Sequence, residues 1–469
     1  MPVLCVLLKQ PARVTPTGAS PSAVDELRLE MLLCPYRGGI QRVAIAMRGG
    51  AVGVLRLSSL ARVCQSKCVI PADTSKNAST AWLEITVDPS GLTFETDPLG
   101  TFPLWCFEDD SRVVITSEVK SLIALQGVQV ELDDNALQKA RHPADFSPFR
   151  GVRRVYPGAI LRVSPTLELT EERRTPLVYR PTSMFATDAA SGDALDAALI
   201  ASARAICGDG AAQDTWGTFL SGGIDSSLAT ALTHVRQPDV QTFTLGTDLG
   251  NEYADAEALT SHLGLTHTRV TADAGAAVSH FERAVFCNEM VDGLTAETLA
   301  QLGILAAAAA KNVRRVVTGY GADLLFGSML RHQQYMAVTA VDDLRSLIER
   351  TCWTGEFAPF YAWSHGVEIH HLFWNPAVMN AAFRIPPESS FDGVEEKVLL
   401  RRVASERGHL DGRYVRRKKR AMTDGTQFNR LLSSALNLGD GYAYEQKSAR
   451  CISQLKNILD RTMTEGVAS

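Results

Sequence analysis

The sequence SGGIDSS at Ser221–Ser227 decides the fold of the second half of this chain. It follows a strand-like apolar run, Trp216–Leu220, and leads into a helix-like run, Ser227–Val235. Glycines and hydroxyls at a strand-to-helix turn offer backbone N–H groups, short side-chain donors and a helix N-terminus, which together bind an anion. Asp225 in such a turn would repel a phosphate unless a cation lay between them, so the pattern also predicts Mg²⁺.

The turn is typical of enzymes that cleave ATP to AMP and pyrophosphate. The GxxxxGK(S/T) phosphate loop of kinases and ATPases occurs nowhere in the sequence. The plain alternative is a glycine turn followed by an N-cap, with no ligand. Because the glycines, the aspartate and the serines all fall in register, we favour the pyrophosphate-binding interpretation.

The composition is that of a globular enzyme. With 469 residues, 45% hydrophobic and 21% charged, the chain is long enough for two or three domains with full cores. Its net charge of −5 disfavours a nucleic-acid partner, despite the basic run Arg416–Arg420. Nine cysteines without paired spacing predict reduced thiols rather than zinc or disulfides. No unbroken apolar run has the length of a membrane span and the first residues do not resemble a signal peptide, so we expect a cytoplasmic protein without a membrane partner.

The sequence changes character near residues 180–190. Before them lie short β-branched segments punctuated by Gly and Pro, which predict largely antiparallel sheets with few helices. We interpret Ser183–Ser191 as a linker between a domain at 1–185 and a domain at 190–469. In the second domain, helical patterns alternate with the short strands TWGTFL, VQTFTLG, HTRVTA and RRVVTG. This alternation predicts a doubly wound parallel sheet, whose ligands bind at the carboxyl ends of the strands.

A second turn with an acid, VTGYGAD, lies at Val317–Asp323. It too follows a strand-like run. Alone, a turn of this kind would more often be structural. Asp225 and Asp323 approaching the phosphates from two adjacent strand ends would make a credible Mg²⁺ site.

Several segments together resemble known proteins. SGGIDSS, TFTLG, Asn251–Tyr253 and TGYGADLLFG resemble the synthetase half of the asparagine synthetase B superfamily. The segments TDPLG, PLW and FRGVRRVYPGAILRV are similar to the glutaminase domain of the same superfamily. The resemblance implies an α+β, N-terminal-nucleophile-hydrolase-like first domain and an α/β pyrophosphate-loop synthetase as the second. It also implies ATP and Mg²⁺ as cofactors.

The first domain departs from this superfamily at one decisive place. Its glutaminases use a cysteine exposed as the N-terminal residue, with its own α-amino group as the base. Here that place holds Pro2, and the nearest thiol, Cys5, lies inside the apolar run Val3–Leu8. Without a free α-amine on the cysteine this chemistry has no base. We expect an inactive glutaminase domain that serves as a scaffold, with proteolytic exposure of Cys5 as the alternative.

The second turn narrows the resemblance further. Asparagine synthetases usually carry SGEGADE or SGEGSDE there, whereas TGYGAD resembles the β-lactam synthetases, including the carbapenam-forming ones. In those enzymes the tyrosine pairs with a glutamate further along the chain, and Glu356 falls at the matching place. Trp374-Asn375 aligns with a Trp-Asp pair of that family. Lys397 and Lys419 match two lysines of its C-terminal segment, with Lys418 as a neighbouring alternative to Lys419.

The resemblance implies a role for each matched residue. Tyr320 is a weak base alone, with an ordinary pKa of about 10, but Glu356 can take or orient its proton. Lys419 would offset negative charge on the reacting carbonyl and the phosphates. Asp225 and Asp323 would hold Mg²⁺. ATP would bind at Leu220, Ser221, Gly222, Gly223, Asp225, Ser226, Ser227, Leu245, Gly246, Thr318, Gly319 and Lys397. The ordinary alternatives are that Tyr320 is a packing residue, that Glu356 is a solvated or N-cap acid, and that Lys419 belongs to a solvated cationic face.

The sequence therefore predicts an AMP-forming cyclo-ligase of antibiotic or toxin biosynthesis. It would adenylate a carboxylate of a small amino-acid-derived substrate, release pyrophosphate, and close a β-lactam ring by intramolecular amine attack. The alternatives are an asparagine-synthetase-like amide synthetase that uses ammonia or an external amine, a lasso-peptide-type cyclase, and a non-catalytic nucleotide-binding regulator. Glu289, Asp292 and Glu297 could meet a cationic substrate group, although a solvated helix face explains them more simply. The substrate and any homo-oligomer stay open.

Overall fold

The computed structural model describes two kinds of region. Side chains are described for residues 81–86, 91–110, 112–123, 125, 127–138, 142–164, 166–173, 184–208, 215–326, 346–386, 389–392, 394–417, 425–439 and 441–460. The backbone alone is described for five strands before residue 71 and for residues 87, 88, 124, 340–345, 387, 388 and 461–464.

The strands in these regions belong to three sheets. Their bounds are β1 Leu4–Lys9, β2 Gln41–Ala46, β3 Val52–Leu57, β4 Arg62–Cys64, β5 Lys67–Ile70, β6 Leu83–Asp88, β7 Gly91–Thr96, β8 Trp105–Asp109, β9 Arg112–Thr116, β10 Val152–Arg154, β11 Ile160–Val163, β12 Leu169–Glu172, β13 Trp216–Phe219, β14 Gln241–Thr247, β15 Gly250–Asn251, β16 His267–Ala272, β17 Arg315–Thr318 and β18 Glu368–His371.

The helices lie mostly in the second half. Their bounds are α1 Asp134–Leu137, α2 Asp188–Cys207, α3 Ile224–Arg236, α4 Tyr253–Leu263, α5 Ala274–Asn288, α6 Gly293–Gln301, α7 Ile304–Ala310, α8 Ala322–Leu325, α9 Ala340–Thr354, α10 Phe360–Trp363, α11 Pro376–Arg384, α12 Pro387–Ser390, α13 Val398–Glu406, α14 Gly412–Val415, α15 Phe428–Ala435 and α16 Tyr444–Thr464. A 3₁₀ helix covers Val119–Ala124.

Two six-stranded sheets make up the first half, in the orders β10-β8-β9-β1-β3-β2 and β12-β11-β7-β6-β5-β4. All of their described strand pairs are antiparallel, as expected from the sequence. Apolar side chains of both sheets, such as Phe94 and Leu161 from one and Val113 and Ile115 from the other, share one buried cluster. The sheets therefore pack as a sandwich, as alternating strands with one apolar face do.

The second half contains a parallel sheet. Strands β16, β14, β13, β17 and β18 pair in that spatial order, each parallel to the next, and β15 adds an antiparallel edge to β14. In chain order this arrangement is 3-2-1-4-5, a doubly wound sheet whose order reverses between β13 and β17. The two acid-bearing turns follow those two strands, so the fold places them together at the switch point.

Three local expectations need correction. Helix α3 begins at Ile224 rather than Ser227, because Gly223 is its N-cap and Asp225 lies in its first turn. Helix α2 begins at Asp188, so it takes up much of the segment interpreted as a linker and includes residue 190. Thr187 starts that helix by accepting a hydrogen bond from the N–H of Ala190 at 3.1 Å. Strand β18 was missed because its sequence, EIHH, lacks apolar alternation.

One segment of the described residues, Gly293–Ala310, is long and apolar enough to cross a membrane by length and composition, with a mean hydropathy of 1.3. It comprises α6 and α7, and 61% of it is buried inside the protein. It also carries the buried Glu297. The core of a globular fold accounts for its apolar character.

Candidate active site

The first turn, between β13 and α3, is shaped by glycine. Gly222 has φ +78°, in the left-handed region that favours glycine. A Cβ at this position would lie 2.5 Å from the Cβ of Asp255 in α4. A larger residue would therefore push the turn away from the helix that supports it.

Hydroxyl groups of the turn hold its backbone in place. Ser226 Oγ accepts a hydrogen bond from the Ser221 N–H at 3.1 Å and donates one to the Gly223 carbonyl at 3.2 Å. Ser227 Oγ is buried and makes no hydrogen bond to any of the described residues. The first N–H groups of a helix have no partner within the helix, so α3 presents donors and a positive dipole end at this turn.

The second turn, after β17, packs directly against the first. A Cβ on Gly319 would lie 2.5 Å from the carbonyl carbon of Asp225 and 2.6 Å from the nitrogen of Ser226. Thr318 Oγ1 accepts a hydrogen bond from the Tyr320 N–H at 3.2 Å and lies 2.7 Å from His371 Nδ1. Glycine at 319 is thus required for the two turns to touch.

A buried lysine joins the acids of the two turns. Lys397, the N-cap of α13, donates hydrogen bonds to the Asp225 carboxylate and, at 2.5 Å, to Asp323 Oδ1. Its side chain is 0% exposed. Burial alone would lower the pKa of Lys397, but the attraction of the two carboxylates raises it above its ordinary value. A fixed positive charge therefore lies between the two carboxylates that the sequence predicts as metal ligands.

The donor set of this pair fits Mg²⁺. Mg²⁺ takes oxygen ligands and is often held by one or two carboxylates together with substrate phosphates and water. In the part of the chain with described side chains, no cluster of three or more His, Cys, Asp or Glu could hold a metal ion. An ion between Asp225 and Asp323 would thus depend on ligands from a nucleotide or water, which is the usual arrangement.

Tyr320 and Glu356, predicted as a pair, are in contact. Tyr320 Oη donates a hydrogen bond to Glu356 Oε1 across 36 residues of chain. The ring of Phe357 packs 5.0 Å from that of Tyr320. Burial raises the pKa of Tyr320 well above its ordinary value and raises that of Glu356 as well. The pair is thus a neutral phenol aimed at a buried carboxyl group.

Sequence reasoning missed Arg350, on the last turns of α9. Its Nη1 lies 3.5 Å from Glu356 Oε2, and its Nη2 lies 2.5 Å from Asp292 Oδ1 and 3.3 Å from Thr295 Oγ1. Asp292 is itself the N-cap of α6, accepting from the Thr295 N–H at 2.8 Å. The only sequence signal for Arg350 was its position six residues before Glu356.

The other predicted nucleotide contacts lie at the ends of β13 and β14. The Leu220 N–H donates to the Phe243 carbonyl at 2.9 Å, which couples the two strand ends. Leu245 is buried, and a Cβ on Gly246 would lie 2.5 Å from Tyr253 Oη. Leu220, Leu245 and Gly246 thus lie at the carboxyl ends of two neighbouring parallel strands, and their contact with a nucleotide stays a prediction.

Two of the three acids considered for a cationic substrate group, Glu289 and Glu297, bind other parts of the protein instead. Glu297 pairs with Lys447, and both side chains are fully buried. Glu289 accepts hydrogen bonds from the N–H groups of Val119 and Lys120, at 2.7 and 2.5 Å, and so ties the second half to the first. Neither acid lies on a solvated helix face, because both are buried and paired with groups of the protein itself.

Lys418 and Lys419 lie outside the described residues, as do Pro2 and the side chain of Cys5. The chain is described up to Arg417, whose Nη1 donates to the Asp255 carbonyl at 2.7 Å. That guanidinium nitrogen is 3.2 Å from where a Cβ on Gly222 would lie. The segment that leads to Lys418 and Lys419 therefore starts beside the first turn.

Comparison with known proteins agrees with the motifs. A family model described as asparagine synthase matches residues 208–358 and 359–447, just over half of the 469 residues. The chain belongs to the asparagine synthase family. The match takes in both acid-bearing turns, Glu356, Lys397 and Lys419.

Named relatives fall into two groups. A carboxyethyl-arginine β-lactam synthase from Streptomyces clavuligerus is 27% identical over 343 residues, which cover 72% of this chain and 64% of that protein. A glutamine-hydrolysing asparagine synthetase from Bacillus subtilis is 24% identical over 262 residues, 54% of this chain and 40% of its own length. The chain thus spans less than two thirds of the length of either relative. A solved NMN synthetase from Francisella tularensis covers 58% of this chain at 12% identity, with a TM-score of only 0.27.

Proposed function

We propose that this protein is an ATP-dependent, AMP-forming β-lactam synthetase of antibiotic or toxin biosynthesis. It would act in the cytoplasm on a small amino-acid-derived substrate that carries both a carboxylate and an amine. The observation that carries the proposal is the Tyr320–Glu356 hydrogen bond, which starts from the second of the two acid-bearing turns. The similarity of most of the chain to a β-lactam synthase supports it.

In the first half-reaction the substrate carboxylate attacks the α-phosphorus of ATP. A P–O bond to pyrophosphate breaks, and an acyl-adenylate forms. The N–H groups at the start of α3, with Ser221 and Ser227, would hold the departing pyrophosphate. Asp225 and Asp323 would hold Mg²⁺, which when bound neutralises charge on the phosphates. The positive charge of Lys397 would also stabilise the negatively charged phosphate oxygens.

In the second half-reaction the substrate amine attacks the activated carbonyl. The N–C bond of the four-membered ring forms, the C–O bond to AMP breaks, and the amine loses one proton. That proton passes to Tyr320 Oη while the Tyr320 hydroxyl proton passes to Glu356, so the pair ends with a protonated carboxyl group. Lys419 would offset negative charge on the carbonyl oxygen.

The direct test measures each half-reaction separately. The purified chain is incubated with ATP, Mg²⁺ and a panel of acids that includes carboxyethyl-arginine, the compound in the name of the Streptomyces relative. We expect acid-dependent exchange of labelled pyrophosphate into ATP, AMP release, and a product lighter than its substrate by one water. Absence of acid-dependent exchange across the panel would contradict the proposal and favour a nucleotide-binding regulator.

Two variants test whether the Tyr320–Glu356 hydrogen bond takes part in ring closure. Tyr320→Phe and Glu356→Gln should retain pyrophosphate exchange while losing cyclised product by roughly 10²–10⁴-fold, the usual effect of removing a general base. Tyr361→Phe, another buried tyrosine whose hydroxyl lies 2.9 Å from His280, is a matched control and should cyclise normally. Normal cyclisation by Tyr320→Phe would make Tyr320 a packing residue.

A second candidate is an amide synthetase that uses ammonia or an external amine. The relatives named as asparagine synthetases favour it. Product mass separates the two candidates, because cyclisation removes water without adding an amine, whereas amide formation adds the nitrogen of the second reactant. A product that contains ¹⁵N after incubation with ¹⁵N-ammonium would favour the amide synthetase.

A further inference from the structure

Arg350 is the only cationic side chain that the described residues show within 4 Å of the Glu356 carboxylate. It reaches Glu356 from α9, with one nitrogen 3.5 Å from Oε2, while the other oxygen of the same carboxylate accepts the Tyr320 hydroxyl. The side chain of Glu356 is 8% exposed and that of Arg350 is 24% exposed. The three side chains therefore form one hydrogen-bonded row in a region with little water.

Asp292 fixes the far end of this row. Its Oδ1 accepts from Arg350 Nη2 at 2.5 Å, and also from the N–H and the hydroxyl of Thr295 at 2.8 and 2.7 Å. Because the start of α6 holds Asp292 in this way, the guanidinium has a firm support on one side. Arg350 can thus be aimed at Glu356 without help from substrate.

We propose that Arg350 is a positioning residue that keeps the Glu356 carboxylate ionised and aimed at Tyr320, so that the pair can accept a proton from the attacking amine. This inference rests on the proposed function for its catalytic meaning. Its physical content, the charge state of Glu356, does not depend on any substrate.

The need for such a residue follows from burial. Burial raises the pKa of Glu356, since removing a carboxylate from water disfavours its charged form. Arg350, and next the hydrogen bond from Tyr320, act in the opposite direction. A protonated Glu356 would have no acceptor for the Tyr320 proton, and the relay would stop.

The other groups that face this row are accounted for. Asp292 shares the Arg350 guanidinium with Glu356 and raises the pKa of Glu356, but it does so less than burial does. His371, whose ring lies 5.8 Å from that of Tyr320, has its pKa lowered to about 3 by burial and so carries no charge at neutral pH. The balance at Glu356 is therefore set mainly by burial against one guanidinium.

The first test is an infrared titration of the complete chain without substrate. The band of the protonated Glu356 carboxyl group is the one that Glu356→Gln lacks. In the wild-type protein we expect this band to be absent at pH 7 and to appear on acidification. Protonated Glu356 at pH 7 in the wild-type protein, with Arg350 in place, would overturn the proposal without any Arg350 variant.

The second test compares three variants in the same titration. Arg350→Gln removes the charge, so the Glu356 midpoint should move to higher pH, whereas Arg350→Lys keeps a cation and should move it less. Arg283→Gln is a matched control, because Arg283 is a partly buried arginine bound to Ser364 at 2.9 Å, away from Glu356. An unchanged midpoint in folded Arg350→Gln would overturn the proposal.

The functional consequence is tested by the pH profile of cyclisation. Each pH unit of midpoint shift means a tenfold change in the ratio of ionised to protonated carboxyl. Arg350→Gln should therefore lose cyclisation at neutral pH by about tenfold or more, recover partly at higher pH, and keep normal pyrophosphate exchange. If the protein proves not to form a β-lactam, the infrared result still decides whether Arg350 sets the charge of Glu356.

Discussion

Glycine-containing turns hold a buried or half-buried aspartate in both halves of the molecule, but they hold it differently. In the first half, Asp97 accepts hydrogen bonds from the backbone N–H groups of Leu99, Thr101 and Phe102 at 3.0, 3.0 and 2.7 Å. In the second half, Asp225 and Asp323 meet the ammonium group of Lys397, which comes from a distant segment.

The difference separates a structural acid from two acids that are proposed to bind a ligand. Asp97 is 1% exposed, and burial raises its pKa to about 6 despite the four hydrogen bonds that it accepts. These four hydrogen bonds come from three backbone N–H groups and the Thr101 hydroxyl, all within five residues of Asp97, so this carboxylate is held by its own turn. The side chains of Asp225 and Asp323 are 17% and 40% exposed, so a metal ion or a phosphate could approach them beside the buried Lys397.

The largest expected effect is a loss of pyrophosphate exchange on substitution of Asp225 or Asp323. Asp225→Asn and Asp323→Asn should each reduce pyrophosphate exchange by about 10²-fold or more, since each removes a charge that would bind Mg²⁺ at the departing pyrophosphate. Exchange is measured with saturating ATP and acid substrate, over a range of Mg²⁺ concentrations. The loss should fall on adenylation itself, and not only on ring closure.

A control is needed because both variants also remove a partner of the buried Lys397. Lys397→Met in an Asp225→Asn background should restore the thermal stability lost by the single variant, while leaving exchange low. Near-normal exchange in either single Asn variant would show that its carboxylate is not a metal ligand.

The next effect concerns Lys419, whose role stays a prediction. Lys419→Ala should slow both pyrophosphate exchange and cyclisation, because charge develops at the phosphates and at the carbonyl alike. Lys418→Ala is the matched control and should leave both within a few-fold of the wild-type rates. The reverse result would assign the catalytic role to Lys418, and two unaffected variants would remove both from the site.

A smaller effect, on stability, is expected at the structural acid. Asp97→Ala would leave three buried N–H groups without an acceptor, at a cost of about 1–3 kcal/mol each. We expect a lower melting temperature, with a smaller drop for Asp97→Asn because the amide keeps one acceptor oxygen. Pyrophosphate exchange well below the melting temperature should be unchanged in both variants. A loss of exchange in the folded variants would show that this turn is coupled to the site.

The sequence predicted best what depends on local pattern. The four short apolar strands around SGGIDSS are all present, since β-branched runs between helical segments have few other ways to bury themselves. Tyr320 and Glu356 were paired through a family resemblance alone, and they are hydrogen-bonded in the structure. The sequence pattern predicts the start of helix α3 too late, because Ile224, Asp225 and Ser226 resemble turn residues although they form the first turn of the helix.

Long-range charge pairing could not be predicted. Lys397 reaches Asp225 over 172 residues, and nothing in either segment specifies the other. Arg350 was invisible because a charge on a helix is usually solvated, and only tertiary packing brings it to Glu356. Glu289 and Glu297 look available for a cationic substrate in the sequence, because their buried partners Lys120 and Lys447 come from distant segments.

Substitution of Cys5 is expected to have no effect on synthetase activity. Strand β1 is internal to its sheet, and its Cys5 pairs with Arg56 on one side and Thr116 on the other. The nitrogen of Cys5 is a peptide nitrogen in this strand, whereas the superfamily's glutaminases need a free α-amine on the cysteine as the base. Cys5→Ala should therefore leave synthetase turnover unchanged, and neither protein should release glutamate from glutamine. Intact mass measured in parallel shows whether cleavage before Cys5 has created a new N-terminus. Glutamine hydrolysis that disappears in Cys5→Ala would mean that the first half is a working glutaminase, and would shift the balance towards an amide synthetase supplied with ammonia.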